Sequence, residues 1–347
     1  MPELSRRVQT FTDSVIRRMT RINNMTPGSI NLSQGFPDFD PPQEILDALK
    51  EAAEHGPHQY SITFGAKNFR DALAEMYTKK FAREIDPEKE IVVTCGGTEA
   101  MMAAMMTVCN PGDKVAVFSP FYENYGADAI LSGADPVYVP LVPPDFHYDS
   151  EALERAFQAG AKALILCNPS NPCGKVFTME EMEEIAELAK RYDAFVITDE
   201  VYEYIIYGEN RHISMAALPG MYEQTITCSS LSKTYSMTGW RVGYAAGNAA
   251  LIKGMTSLQG HTTSNTCSIA QYAALEAISG PQDSVESMRV EFDKRRKFLV
   301  ERLNSMDGIT CNNADGAFYL MPNMTAFYDK EWNGKKIADS FGMADYL

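Results

Sequence analysis

Nothing in this 347-residue sequence is apolar for long enough to cross a membrane. The longest apolar runs, such as Ala163–Cys167 and Val115–Phe118, are strand-sized. The opening stretch MPELSRRVQTFTDSVIRRM has no apolar signal core, so a cytoplasmic protein with no membrane partner is expected. Positive charge is also short: 31 Lys and Arg face 46 Asp and Glu, a formal charge of −15. That balance argues against a nucleic-acid partner, because a phosphate backbone must be met by Lys and Arg. The seven cysteines are odd in number and form no C-x-x-C, which excludes a disulfide framework and a zinc site, and no metal is expected. Cys95, Cys109, Cys167, Cys228 and Cys267 lie in or beside apolar stretches and read as small buried residues in a reducing compartment. There is no low-complexity tract and no internal repeat.

What remains is an ordinary globular composition, 45% hydrophobic and 22% charged, in a chain long enough for a large domain plus a smaller one. From about residue 90 to 250, short β-rich runs alternate with helical patterns. Ile91–Thr94, Lys114–Ser119, Ala163–Asn168, Ala194–Thr198, Thr225–Cys228 and Val242–Ala246 read as strands, several apolar throughout, as buried parallel strands are. Between them Thr178–Tyr192 reads as a helix opened by a Thr178/Glu181 capping box. The alternation predicts an α/β sheet with right-handed crossovers and a ligand outside the carboxyl ends of its strands. Helices are expected over Ser5–Asn24, Pro42–Glu54, Asn68–Arg83 and Asp283–Met306, the last followed by a short strand pair in GITCNNADGAFYLMP. The expected division is an N-terminal arm and small-domain segment over 1–40, a large domain over 41–282 and a second part of the small domain over 283–347.

Four segments could carry chemistry. In the first, Ser229-Ser230-Leu231-Ser232-Lys233-Thr234 follows the strand Thr225–Cys228. A lone lysine after a strand is ordinarily a solvated charge. Here three serines flank it and Thr238-Gly239-Trp240-Arg241-Val242-Gly243 follows. That combination suits a cofactor bearing both an aldehyde and a phosphate: the amine forms an imine, and hydroxyls with a guanidinium hold the phosphate. The neighbouring cation also favours the neutral, nucleophilic amine. In the second, Asp199-Glu200-Val201-Tyr202 ends an apolar strand. A buried carboxylate there needs a partner, for which a protonated pyridine nitrogen is suitable; the alternative is that Asp199 caps a following helix. The third, Asn168-Pro169-Ser170-Asn171-Pro172-Cys173-Gly174, is either a rigid turn presenting an amide or simply a tight connection. In the fourth, Gly96-Gly97 opens a helix whose free N–H groups could take a phosphate, while Met101, Met102, Met105 and Met106 beyond read as core.

Together SLSKTYSMTGWRVGY, NPSNPCG, TDEVY, GGTEA and NLSQGFPDFDPP resemble the class I/II aminotransferases of pyridoxal-phosphate fold type I, over nearly the whole chain. NLSQGFPDF and QYSITFGAKNFRDAL are most similar to the branch holding bacterial aspartate, aromatic and kynurenine-type enzymes. The resemblance implies a mostly parallel sheet with helices on both faces, plus a smaller α+β domain. It implies pyridoxal 5′-phosphate bound to Lys233, which also moves the proton between substrate α-carbon and cofactor. By the same resemblance Asp199 pairs the ring nitrogen, Asn171 and Tyr202 the ring oxygen, and Tyr122 stacks on the ring. Ser230, Ser232, Arg241 and the N–H groups of Gly97 and Thr98 fit the phosphate positions. Tyr60 matches a tyrosine that reaches the phosphate across a homodimer interface, for which Gly260–Ser268 is a candidate loop. Gly35 matches a backbone contact to the substrate carboxylate, with Asn171 also at the substrate.

One element of the family pattern is missing. A C-terminal Arg that grips the α-carboxylate should follow Gly316-Ala317-Phe318-Tyr319, yet no Arg occurs after Arg302. The expectation is a small domain without its end, in a fragment or in a natively short chain weakened in substrate binding. Transamination between an L-amino acid and a 2-oxo acid, with 2-oxoglutarate as one partner, is the expected activity. Carbon–sulfur lysis on the same scaffold and a non-catalytic cofactor-binding or regulatory domain are the alternatives. No second Arg stands out as a clamp for an acidic substrate side chain, and Phe36 and Tyr60 suit an aromatic or apolar one.

Overall fold

Strands enclosed on both faces must be apolar on both, and β-branched runs fill that requirement here. The computed structural model describes residues 2–11 and 14–347. Its central sheet comprises β1 (Ile91–Cys95), β2 (Lys114–Ser119), β3 (Asp135–Val142), β4 (His147–Tyr148), β5 (Ala161–Cys167), β6 (Phe195–Asp199), β7 (Thr225–Ser230) and β8 (Val242–Gly247). Their spatial order is β1-β8-β7-β6-β5-β2-β3-β4. The run β3-β2-β5-β6-β7 is parallel, while β8 lies antiparallel between β7 and β1. Alternation along β5 feeds two cores: Ala163, Ile165 and Cys167 pack into one, Leu164 and Leu166 into the other.

The helices are α1 (Arg6–Thr10), α2 (Val15–Met25), α3 (Gln43–His55), α4 (Lys67–Phe81), α5 (Gly96–Val108), α6 (Asn124–Ser132), α7 (Ser150–Gln158), α8 (Met179–Arg191), α9 (Leu231–Thr234), α10 (Ala249–Thr262), α11 (Ser268–Ser279), α12 (Asp283–Asn304) and α13 (Ser340–Tyr346). The capping box at α8 is present in both directions: Thr178 Oγ1 accepts from the Glu181 N–H at 3.3 Å, and Glu181 Oε2 accepts from the Thr178 N–H at 2.9 Å. A smaller cluster of Tyr202, Ile205, Tyr207, Met288, Phe292 and Ala317 joins α12 to the segment after β6.

Several expectations fail locally. The single helix over Ser5–Asn24 is two, α1 and α2, with Thr12 and Asp13 outside the described residues. Ser14 starts the second by accepting from the Arg17 N–H at 3.2 Å. The strand pair expected in Gly308–Pro322 reduces to isolated bridges, Ile206 to Gly316 and Thr310 to Asn323. There the Asn304 side chain takes the Cys311 N–H and carbonyl, hydrogen bonds a ladder would otherwise make. An unforeseen hairpin, β9 (Glu331–Trp332) with β10 (Lys335–Lys336), turns through Asn333-Gly334, both at positive φ. Cys267 is exposed and Cys95 half-buried, because each caps the start of a helix instead of lying within a packed segment. All seven cysteines are unpaired.

Lys80 on α4 ties that helix to the turn after β6: its ammonium donates to Glu200 Oε2 at 2.7 Å and also to Glu203. The Glu200 side chain is 1% exposed. Lys80→Ala leaves two enclosed carboxylates without their cation and should cost about 3–5 kcal/mol, read as a lower urea midpoint with an unchanged slope.

Candidate active site

At the carboxyl ends of β5, β6 and β7 the chain turns around a cavity of about 770 Å³. Gly35, Gly97, Thr98, Tyr122, Asn171, Asp199, Tyr202, Ser230, Ser232, Lys233 and Arg241 all line it. Tyr60 does not; it stands outside and is 93% exposed.

Lys233 owes its position to the end of β7. Ser230 leaves the strand and its hydroxyl accepts from the Ser232 N–H at 3.4 Å, starting the single turn α9 that carries Lys233. Lys233 Nζ donates to the Gly35 carbonyl at 2.8 Å and lies 5.9 and 5.6 Å from the ring centres of Tyr202 and Phe318. Burial pulls its pKa down to about 8; the Asp199 charge opposes this and Arg241 adds to it. No acid forms an ion pair with it among the described residues.

Asp199 ends β6. Its Oδ2 accepts from the Tyr125 hydroxyl at 2.8 Å and its Oδ1 from the Val201 N–H at 3.4 Å. Residues 201–204 form turns, so Asp199 caps no helix. Burial raises its pKa, while the Tyr125 hydrogen bond and the Val201 N–H work against the rise. Tyr202 shares a 2.7 Å hydrogen bond with the Tyr319 hydroxyl. Asn171 follows the turn after β5, with its backbone N–H on Cys167 Sγ at 3.5 Å.

Arg241 takes a left-handed backbone (φ 58°) and donates from Nη1 to the Thr238 carbonyl at 3.0 Å. Its guanidinium lies against Gly96, where a Cβ would collide with it, so glycine is required at that close approach. Gly97 and Thr98 follow in the first turn of α5, where N–H groups have no helical partner. A guanidinium that has no acidic partner among the described residues, beside a helix N-terminus, is a seat for an anion.

Tyr125, Asp128, Arg17 and Tyr319 are among the cavity residues that were not singled out from sequence. Tyr125 and Asp128 belong to α6, Arg17 to the first turn of α2, and Tyr319 to the segment after α12. Tyr125 follows Tyr122 by three positions, a helical spacing that could have pointed to it. The other three carried no local signal.

Residues 27–342 match the family of class I and II aminotransferases. The chain belongs to that family. It is 39% identical to an aspartate aminotransferase of Geobacillus stearothermophilus, over 92% of this chain and 83% of that one. It is 34% identical to an aromatic-amino-acid aminotransferase of Thermococcus litoralis, over 97% and 88%. Among solved structures, the aspartate aminotransferase from Rhizobium meliloti superposes with a TM-score of 0.94 at 30% identity, covering 100% of this chain and 88% of that one.

The aminotransferase is pyridoxal-phosphate-dependent and acts on amino acids and 2-oxo acids. Its cavity fits that cofactor by the chemistry of its donors: a buried amine for an aldehyde, a buried carboxylate for a ring nitrogen, and a guanidinium beside a helix N-terminus for a phosphate. With Lys233 near 8, the rate at which cofactor-free aminotransferase captures the aldehyde should rise between about pH 7 and 9 and then level off. Stopped-flow absorbance would show it; a rate still climbing toward the ordinary lysine range near 10 contradicts the lowered value.

Proposed function

We propose that this aminotransferase moves an amino group between an L-amino acid and 2-oxoglutarate, with Lys233 as the proton-carrying base. The observation that supports the reading best is the Lys233 amine, buried and lowered to about 8, in the same cavity as Asp199 and Arg241. When bound, pyridoxal phosphate supplies the aldehyde that takes up the amino group and a ring that withdraws electrons from the substrate α-carbon. Lys233 Nζ takes the α-proton and returns it, a task for an amine whose pKa lies near the working pH. Asp199 holds the ring-nitrogen proton, and the Tyr125 hydroxyl opposes the rise in its pKa that burial causes. Asn171 and Tyr202 face the ring oxygen, Tyr122 the ring face, and Ser230, Ser232, Arg241 and the N–H groups of Gly97 and Thr98 the phosphate. Gly35 is assigned to the substrate carboxylate, with Asn171 alongside.

The dicarboxylic partner draws support from the charges around the cavity. Lys233 and Arg241 are committed to the cofactor, and the remaining lining cation is Arg17, which has no acidic partner among the described residues. Its segment is seated on the rim by the Ser14 hydroxyl, which donates to Glu123 Oε1 at 2.5 Å. Aspartate, in the names of several relatives, and 2-oxoglutarate each carry a second carboxylate for such a group.

A homodimer is part of the reading. Tyr60 at 93% exposure, Leu32 at 88% and Ile62 at 55% are large apolar side chains that the chain's own core leaves uncovered. Seven unpaired cysteines suit a cytoplasmic setting.

An assay with a panel of L-amino acids and 2-oxoglutarate tests the activity: keto acid and glutamate should form in equal amounts, and Lys233→Ala should lower turnover by at least about 10²-fold. Ammonia release without glutamate would refute it. Arg17→Ala should raise KM for 2-oxoglutarate about tenfold, as the loss of one charged hydrogen bond does, while a monocarboxylic 2-oxo acid stays within about twofold.

A further inference from the structure

The cavity holds a second enclosed acid that the proposed reaction does not use. Asp128 lies on α6 one turn beyond Tyr125, so both project from the same helix face. It lines the cavity at 2% exposure, and its Oδ2 is fully enclosed with no hydrogen-bond partner among the described residues. An ionised carboxylate so placed needs a cation or donors to offset its lost hydration.

Among the described residues the surrounding groups supply none. Its own segment brings Tyr122 and Tyr125, the latter already donating to Asp199. β6 brings the Asp199 carboxylate, and β7 brings the Cys228 thiol. From α5, which packs on α6, Met101 reaches the cavity, while Glu99 is turned away to the Cys95 N–H and the Thr263 hydroxyl. From β3, Tyr138 stacks on Phe121 and is half exposed. Lys233, Arg241, Arg17 and Glu123 complete the charges of the cavity, and none of them pairs with Asp128 among the described residues.

We propose that Asp128 is a positioning residue acting through Asp199: a neutral carboxylic acid at neutral pH, whose ionisation places a second negative charge behind the ring nitrogen. The inference rests on the assignment of Asp199 to that nitrogen. Burial, then repulsion from Asp199, pushes the Asp128 titration up to about 8. Burial is the larger cause and persists with the cofactor in place. Below the midpoint Asp199 alone bears the charge at that wall. Above it, the added charge binds the ring-nitrogen proton more tightly, so the electronic state of the bound cofactor acquires an alkaline step that Asp199 alone does not produce. The adjacent acid thus tunes the site without touching substrate.

Two measurements on the holoenzyme test this. Infrared difference spectra between pH 6 and 10 should show a protonated carboxyl lost on the alkaline side, and the band should be absent from Asp128→Asn. The visible absorption of the bound cofactor, titrated over the same range, should carry a step in the native protein that Asp128→Asn lacks, since asparagine matches the neutral acid in shape and never ionises. No protonated carboxyl in the native protein at pH 6 overturns the proposal, and that measurement needs no variant. A carboxyl band with identical visible titrations in both proteins also overturns it, by removing the coupling. Failure of the underlying reading looks different: Asp199→Asn would then leave the cofactor spectrum unchanged at every pH.

Discussion

A carboxyl group at the end of a strand enclosed on both sides is the constraint from which the site is built. β6 runs between β5 and β7, and Asp199 emerges buried at the cavity wall, where the strand ladder offers its carboxyl no donor. Donors must therefore come from other elements. The Tyr125 hydroxyl arrives from α6, the Val201 N–H from the turn that follows, and the Lys233 charge from α9. Meeting the needs of one carboxyl thus fixes the orientation of three segments around the space where a cofactor ring sits. The same enclosure depresses the Lys233 amine, so a single desolvated pocket raises the acid at its end and lowers the base beside it.

The phosphate end obeys a steric constraint. Gly243 on β8 packs so closely on Gly96 and Gly97 that any side chain there would enter their backbone. Gly96 in turn leaves room for the Arg241 guanidinium. Three glycines from two distant segments bring a helix N-terminus and an arginine within reach of one anion, with backbone approach replacing what larger side chains would block.

Most of the sheet was legible because parallel strands buried on both faces are written as unbroken apolar runs, as in β5 and β6. β3 was not, since Pro136 and Pro140 in DPVYVPLV read as strand breakers. They are tolerated because beyond β3 lies only the two-residue β4. The α8 capping box was visible because its partners lie three residues apart, whereas the break between α1 and α2 was hidden within one continuous helical pattern. At the cavity, Lys233, Asp199 and Arg241 were legible through motifs at strand ends. Arg17, Asp128 and Tyr319 were not, because only tertiary folding brings them there. The serine and proline neighbours that set Lys233 and Asn171 apart have no counterpart around these three.

The antiparallel β8 between β1 and β7 bears on how the chain assembles. β1 has no strand partner in the sheet other than β8, so residues 91–95 must wait for residues 242–247 before their ladder can form. Meanwhile β2, β5, β6 and β7 can pair in the order in which they are made. Pairing at such separation closes a long loop and slows folding. During synthesis Ile-Val-Val-Thr-Cys is an apolar edge without a strand neighbour until β8 is made, and packing by the α5 that follows it can cover it meanwhile.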